Sequence, residues 1–231
     1  RLLRRSGLRK MATGYVEFVI TEHLPAITAA LERYYETVRT KLERLAGVSV
    51  HSQHYCDPVG FADASALILS GSFAPWALHD PDALARLGER VGRFDRAVLG
   101  ICAGMQLQTI FAGGEIGPRE RPALGYQPIE VLDEEGLLGG LGLEAMAYQH
   151  HYWEVVTLPE DFIIVARSED CRVEAVRSPA RNWWGTQFHP ERFSARHPDG
   201  ERVLRNFFSL AGVGPGDAGG ETSRAGEWAS R

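Results

Sequence analysis

Apolar residues in this chain come either in short unbroken runs or at every third to fourth position, and the two patterns alternate. Residues 15–20 read as a first strand. Ile27, Leu31, Tyr34, Val38, Leu42 and Leu45 then recur at helical spacing, which predicts a long helix over 26–46 ending near Gly47. A short strand over 48–51 and a buried one over 66–69 follow. Asp80 suits a helix N-cap and Pro81 the first helical position, so a second helix is expected from there to about Val91. Next come a buried strand over 96–101 and a helix over 103–111. Extended segments at 126–131, 153–157, 162–166 and 172–176 look partly antiparallel, and a helix over about 200–210 closes the pattern. There is no internal repeat. Strands interleaved with helices predict a mostly parallel sheet covered on both faces.

Length and composition narrow the class. A chain of 231 residues suits one α/β domain with an ample core. Its net charge of −5 argues against a dedicated nucleic-acid binder or a partner of anionic membranes. No stretch is apolar for long enough to span a bilayer, and no secretory signal is evident. Cys56, Cys102 and Cys171 are odd in number and lack paired metal-ligand spacing, which points to reduced thiols in a cytoplasmic compartment. His51, His54 and Cys56 lie close together, but no second cluster accompanies them, so no metal is expected. Residues 1–14 form a basic N-terminal extension, with Arg1, Arg4, Arg5, Arg9 and Lys10 ahead of Met11, and read as disordered chain upstream of a natural start at Met11. Residues 15–212 read as the domain and the glycine-rich 213–231 as a flexible tail.

The candidate chemistry starts at Cys102, where an apolar run breaks at Gly100-Ile101-Cys102-Ala103-Gly104. Small residues on either side of a nucleophile let a strand pass into a helix through a sharp turn and leave the side chain on its crest. The helix N-terminus favours the thiolate. A base is supplied far downstream, in Gln187-Phe188-His189-Pro190-Glu191. The rigid Pro190 limits its neighbours, so Glu191 can accept a hydrogen bond from one imidazole nitrogen of His189 while the other faces Cys102. Cys102 sits at the carboxyl end of a central strand, where open α/β sheets bind ligands, and His189 is expected to end another.

These two motifs, in this order, with Leu67-Ile68-Leu69-Ser70-Gly71-Ser72 between the first helix and the elbow, resemble the class I glutamine amidotransferases over about residues 16–212. The resemblance implies a flavodoxin-like fold: an open, mostly parallel sheet with helices on both faces and a smaller antiparallel extension. It implies Cys102, His189 and Glu191 as the catalytic triad, with glutamine hydrolysed to glutamate through a cysteinyl thioester and no cofactor. Gly71, Ser72 and Ala103 match the oxyanion-hole region, with the backbone N–H groups of Ser72 and Ala103 as its donors. Gln106 matches a substrate-contacting residue, and His150 and Tyr152 fall in the segment that recognises the amino acid's α-groups. Many relatives carry a second glycine where this chain has Ser72 then Phe73, which suggests a hole completed when a partner docks. The segment at His150 also lacks the usual small residue after the histidine, with Tyr152 there instead.

Family members pass ammonia to a synthase site by a protected route. The chain leaves no room for a fused synthase after the domain, so the resemblance implies a standalone subunit serving a separate ammonia-accepting synthase, docked at the 26–46 helix or at 73–76. A γ-glutamyl hydrolase shares the elbow and is the nearest rival. A related peptidase-like family places histidine after the nucleophile, where this chain has Ala103. A silent binding module is the rival from another class, and the complete Cys102, His189, Glu191 set argues against it. The ammonia acceptor is not readable from these motifs.

Overall fold

The structure, a computed structural model, describes residues 14–58, 60, 61 and 63–214. The expectations for the basic extension before residue 14 and for the tail beyond 214 lie outside the described residues.

Strand β1 (Tyr15–Ile20) leads through a 3-10 turn to helix α1 (Ala29–Ala46), then to β2 (Val50–His54), β3 (Ala64–Leu69), α2 (Pro81–Gly92), β4 (Ala97–Ile101) and α3 (Ala103–Phe111). β5 (Glu115–Val131), β6 (Glu144–Thr157), β7 (Ile163–Arg167), β8 (Ala175–Ser178), β9 (Trp183–Thr186) and α4 (Asp199–Leu210) complete the order. One nine-stranded sheet runs β2-β1-β3-β4-β9-β8-β7-β5-β6. The first five strands pair in parallel and the rest antiparallel. Its parallel half has the strand order of a flavodoxin-like fold.

Alternation along the central strands divides the core. Phe18, Ile68 and Leu99 face one layer, with Val38, Leu42 and Leu45 of α1 and Val203, Leu204 and Phe207 of α4. Val19, Leu67, Leu69 and Val98 face the other, with Ala83, Leu87 and Val91 of α2 and Met105 and Leu107 of α3. Such strands, buried on both sides, read as unbroken apolar runs. Among the described residues no helix is long and apolar enough to cross a membrane.

Several boundaries differ from the sequence expectation. Helix α1 starts at Ala29, because Thr28 caps it by accepting the Leu31 N–H, so Ile27 precedes the helix. The edge strand β2 sits later, at Val50–His54, since its parallel register with Val16–Ile20 selects polar residues the apolar pattern passes over. The largest difference is the ribbon of β5 and β6, much longer than the expected 126–131 and 153–157. Pro118, Arg119, Glu120, Arg121 and Pro122 break the apolar alternation there, and the pairing shifts register between Pro118 and Ala123. Residues 172–174 form no strand. β8 starts at Ala175, and the preceding turn is tied by side chains, with Ser168 Oγ donating to Glu174 at 2.8 Å.

Candidate active site

The crest of the elbow is Cys102, at φ 52° and ψ −107°, between the last residue of β4 and the first of α3. A non-glycine residue at positive φ is uncommon and carries strain of about 1–3 kcal/mol. The neighbours hold it there: its N–H donates to the Thr186 carbonyl at 2.7 Å, and its carbonyl accepts from Gln106 N–H at 3.0 Å. Gly104 is required by close approach, because a Cβ at that position would collide with the Leu69 carbonyl.

His189 lies three residues beyond the end of β9, since the chain leaves that strand and donates the His189 N–H to the Tyr148 carbonyl of β6 at 2.8 Å. The expectation that it ends a strand is corrected by that much. Its Nδ1 is 2.7 Å from Glu191 Oε1, and both side chains are buried. Burial opposes charge on the imidazole, but the Glu191 carboxylate and the Cys102 sulfur prevail and hold its pKa well above the usual histidine range. Burial likewise works against the Glu191 carboxylate, and the facing imidazole more than offsets it, so its pKa is lowered. Tyr34 of α1 donates to the same Oε1 at 3.0 Å.

His189 Nε2 is buried with no hydrogen-bond partner among the described residues. Catalytic hydrogen bonds commonly tighten only when substrate arrives. The Cys102 sulfur is 3.9 Å from the His150 carbonyl and 3.7 Å from Gln187 Nε2. Gly71 is pressed against the imidazole, so that a Cβ there would stand 2.8 Å from His189 Cε1 and 3.5 Å from Cys102 Cβ.

Cys102 opens onto a cleft of about 470 Å³ lined by Ser72, Phe73, Trp76, Ala103, Gln106, His150, Tyr152 and their neighbours. Ser72 is not free to swing, because its Oγ bonds Glu22 Oε1 at 3.0 Å. Gln106 is also engaged: Trp76 Nε1 donates to its Oε1, and its Nε2 donates to the Trp153 carbonyl and to Gln187 Oε1. The His150 ring packs edge-on to both Phe73 and Tyr152, and Tyr152 is 55% exposed at the rim. Burial and the nearby His189 lower the His150 pKa, which favours its neutral form. Of the three residues weighed as a metal cluster, His51 stacks on Tyr15, while His54 spends one ring nitrogen on the Cys56 N–H and the other on the Glu22 carbonyl.

Sequence reasoning missed Glu22, the fully buried residue two positions after β1. Its carboxylate accepts the N–H groups of Phe73 at 2.7 Å and Ala74 at 3.1 Å, the Ser72 hydroxyl, the Tyr35 hydroxyl at 3.3 Å and the His23 N–H at 2.8 Å. The loop after β3 is thus held from within the chain. An acid just past the end of an apolar strand, on the sheet edge that carries Cys102, was the available signal. Gln187, quoted only as part of the histidine motif, is the other residue passed over.

A strained cysteine at a helix N-terminus, a buried imidazole–carboxylate pair beside it and a cleft at the carboxyl edge of a parallel sheet define a cysteine-dependent amide-hydrolysing class. Residues 26–211 match the sequence profile of the family described as Glutamine amidotransferase class-I, and the chain belongs to that family. Its activity is hydrolysis of the glutamine side-chain amide. The chain is similar to the glutamine-hydrolyzing GMP synthase subunit of Pyrococcus abyssi, 36% identical over 148 residues that cover 64% of this chain and 76% of that protein. To the protein of the same name from Methanothrix thermoacetophila it is 35% identical over 153 residues, covering 66% and 80%. Among solved structures, a Thermoplasma acidophilum protein described as a GMP synthase subunit superposes with a TM-score of 0.70 at 24% identity, covering 85% of this chain and 94% of that one. The glutaminase domain of Trypanosoma brucei CTPS superposes at 0.64 and 16%, covering 86% and 94%. The two superpositions speak for the fold.

Proposed function

We propose that Cys102, His189 and Glu191 are the catalytic residues of a glutaminase subunit, within a single amidotransferase domain over 15–212, that delivers ammonia to a separate synthase subunit. The observation that carries the reading is the 2.7 Å contact between His189 Nδ1 and Glu191, with Gly71 and Cys102 packed beside the same imidazole.

L-Glutamine enters the cleft with its amide carbon against Cys102. The thiolate attacks, forming the carbon–sulfur bond, and the carbonyl oxygen takes the negative charge, met by the N–H groups of Ser72 and Ala103. The protonated His189, steadied by Glu191, gives its proton to the departing nitrogen. The carbon–nitrogen bond breaks, ammonia leaves, and a γ-glutamyl thioester remains on Cys102. The neutral imidazole then takes a proton from water as the water attacks the thioester, and glutamate and the resting pair are restored. Gly71 lets the imidazole lie close to the oxyanion loop. Gln106 shapes the cleft wall, and His150 and Tyr152 form the side that meets the α-groups of the substrate.

The relatives named as subunits of GMP synthase support a separate synthase as the ammonia acceptor. Exposed Phe73 and Tyr152 at the cleft mouth supply apolar area for such a partner to cover. The test is ammonia release from glutamine by the full chain, alone and with the synthase subunit of a GMP synthase or with other candidate synthases. Stimulation by one synthase, together with glutamine-dependent amination of its acceptor, is the expected result. Glutamine turnover that no synthase alters, combined with faster cleavage of a γ-glutamyl anilide, would replace this reading with a γ-glutamyl hydrolase.

A further inference from the structure

A second group of reactive side chains lies behind the cleft wall. His151 of β6 and Cys171 and Glu174, from the connection between β7 and β8, bring an imidazole nitrogen, a sulfur and a carboxylate oxygen within 4.8 Å of one another. They are 2%, 2% and 1% exposed, so water hardly reaches any of them from outside. The proposed glutaminase chemistry uses none of the three.

Each is already oriented. His151 Nδ1 lies 3.0 Å from the Trp153 carbonyl, which makes Nδ1 the protonated nitrogen and leaves the lone pair on Nε2. That Nε2 is buried and has no hydrogen-bond partner among the described residues. A buried acceptor left unpaired is costly and calls for an occupant. Glu174 is held by the Ser168 hydroxyl at 2.8 Å and by Gln149 Nε2 at 3.0 Å, and Ser168 Oγ also accepts the Cys171 N–H at 3.1 Å. Backbone and side-chain partners that fix a ligand's orientation are the usual second ring of a metal site.

We propose that His151, Cys171 and Glu174 bind one divalent transition-metal ion of the zinc type. A mixed nitrogen, sulfur and oxygen set suits zinc and disfavours magnesium or calcium, which take oxygen ligands. Tetrahedral zinc, with a water molecule as the fourth ligand and bonds of about 2.0–2.3 Å, places ligand atoms roughly 3.5 Å apart, so the three side chains draw together by about 1 Å. On binding, the Cys171 thiol forms the sulfur–metal bond and releases its proton to solvent. One thiolate, one carboxylate, a neutral imidazole and a divalent cation sum to zero charge, so no unpaired charge stays buried. The nearby Arg119 is paired with Glu154 and leaves the cluster's carboxylate to the ion. The bound ion would fasten β6, which carries His150 and Tyr152, to the β7–β8 connection.

The test uses the full chain carrying Cys102→Ser, which removes the cleft thiol, after treatment with a chelator and titration with Co²⁺ and then Zn²⁺. The expected result is one equivalent of Co²⁺ with tetrahedral visible bands and a thiolate-to-cobalt charge-transfer band, displaced by Zn²⁺. Cys171→Ser should abolish the charge-transfer band, and His151→Gln or Glu174→Gln should weaken binding at least tenfold. Absence of the band in the folded parent overturns the proposal, as does a band that survives Cys171→Ser. Should Cys171→Ser fail to fold, anomalous scattering at the zinc edge from crystals of the parent decides. A peak between the three side chains is expected, and a bridging water without anomalous signal, or a peak elsewhere, contradicts the site.

Discussion

Glu22 Oε2 accepts the backbone N–H of Phe73 at 2.7 Å, and this bond fastens the turn after β1 to the loop after β3. The same carboxylate holds Ala74 N–H and the Ser72 hydroxyl, so one buried side chain sets the path of the backbone that the proposed mechanism uses against the oxyanion. Glu22→Gln keeps the size but places an amide N–H against backbone donors. It should lower kcat for glutamine by about tenfold to a hundredfold, less than the roughly hundredfold to thousandfold cost of losing an oxyanion donor outright, with a smaller change in KM. Steady-state kinetics beside a thermal melt check this, and a loss confined to stability would contradict it.

The paired titrations of His189 and Glu191 give stability a defined pH profile. His189 has a raised folded pKa, so its contribution is complete below the unfolded value of about 6.5 and fades as pH climbs through the folded one. Glu191 has a lowered folded pKa, so its contribution is complete above about 4.5 and fades as pH falls through the folded one. Glu191→Gln should therefore cost about 1–3 kcal/mol between pH 5 and 6.5, with a smaller cost toward pH 10. Urea denaturation across this range measures the gap between wild type and variant. The same change should move the alkaline limb of kcat/KM to lower pH, because the imidazolium loses its counter-charge.

Two glycines should fail in different ways. Gly104→Ala drives a methyl group into the backbone of β3 and should destabilise the fold by roughly 1–3 kcal/mol. Gly71→Ala meets not backbone but the His189 ring at 2.8 Å, so the methyl group pushes the imidazole off its position beside Glu191 and Cys102. Its cost should fall mainly on kcat, with the melting temperature little changed.

Tyr34 of α1 donates to Glu191 Oε1, the same oxygen that faces the imidazole. Tyr34→Phe removes one buried hydrogen bond, worth about 1 kcal/mol, and should lower kcat by roughly fivefold. A change in KM alone would place Tyr34 outside the catalytic pair's support.

Much of this arrangement was readable before the structure. The parallel half of the sheet announces itself because 66–69 and 97–101 are buried on both faces and contain almost nothing polar. Cys102, His189 and Glu191 stand out because glycine and proline mark the sharp local geometry around them. The β5–β6 ribbon was hidden for the opposite reason. One side meets solvent, and prolines and arginines interrupt its alternation, so pairing across strands rather than local pattern holds it together. Glu22, and the meeting of His151 with Cys171 and Glu174, were hidden because the partners lie apart in sequence. Glu22 reaches Phe73 across 51 positions, and only the fold brings such residues together.

The central claim is that Cys102 carries the γ-glutamyl group. The most direct measurement is glutamate released from L-glutamine by the purified chain and by Cys102→Ala, each alone and with its synthase, with acid-quenched samples analysed by mass spectrometry. The expected result is turnover with a γ-glutamyl adduct on the Cys102 peptide in the wild type, and neither in the variant. Glutamate release that persists in Cys102→Ala, or an adduct on another residue, would contradict the account.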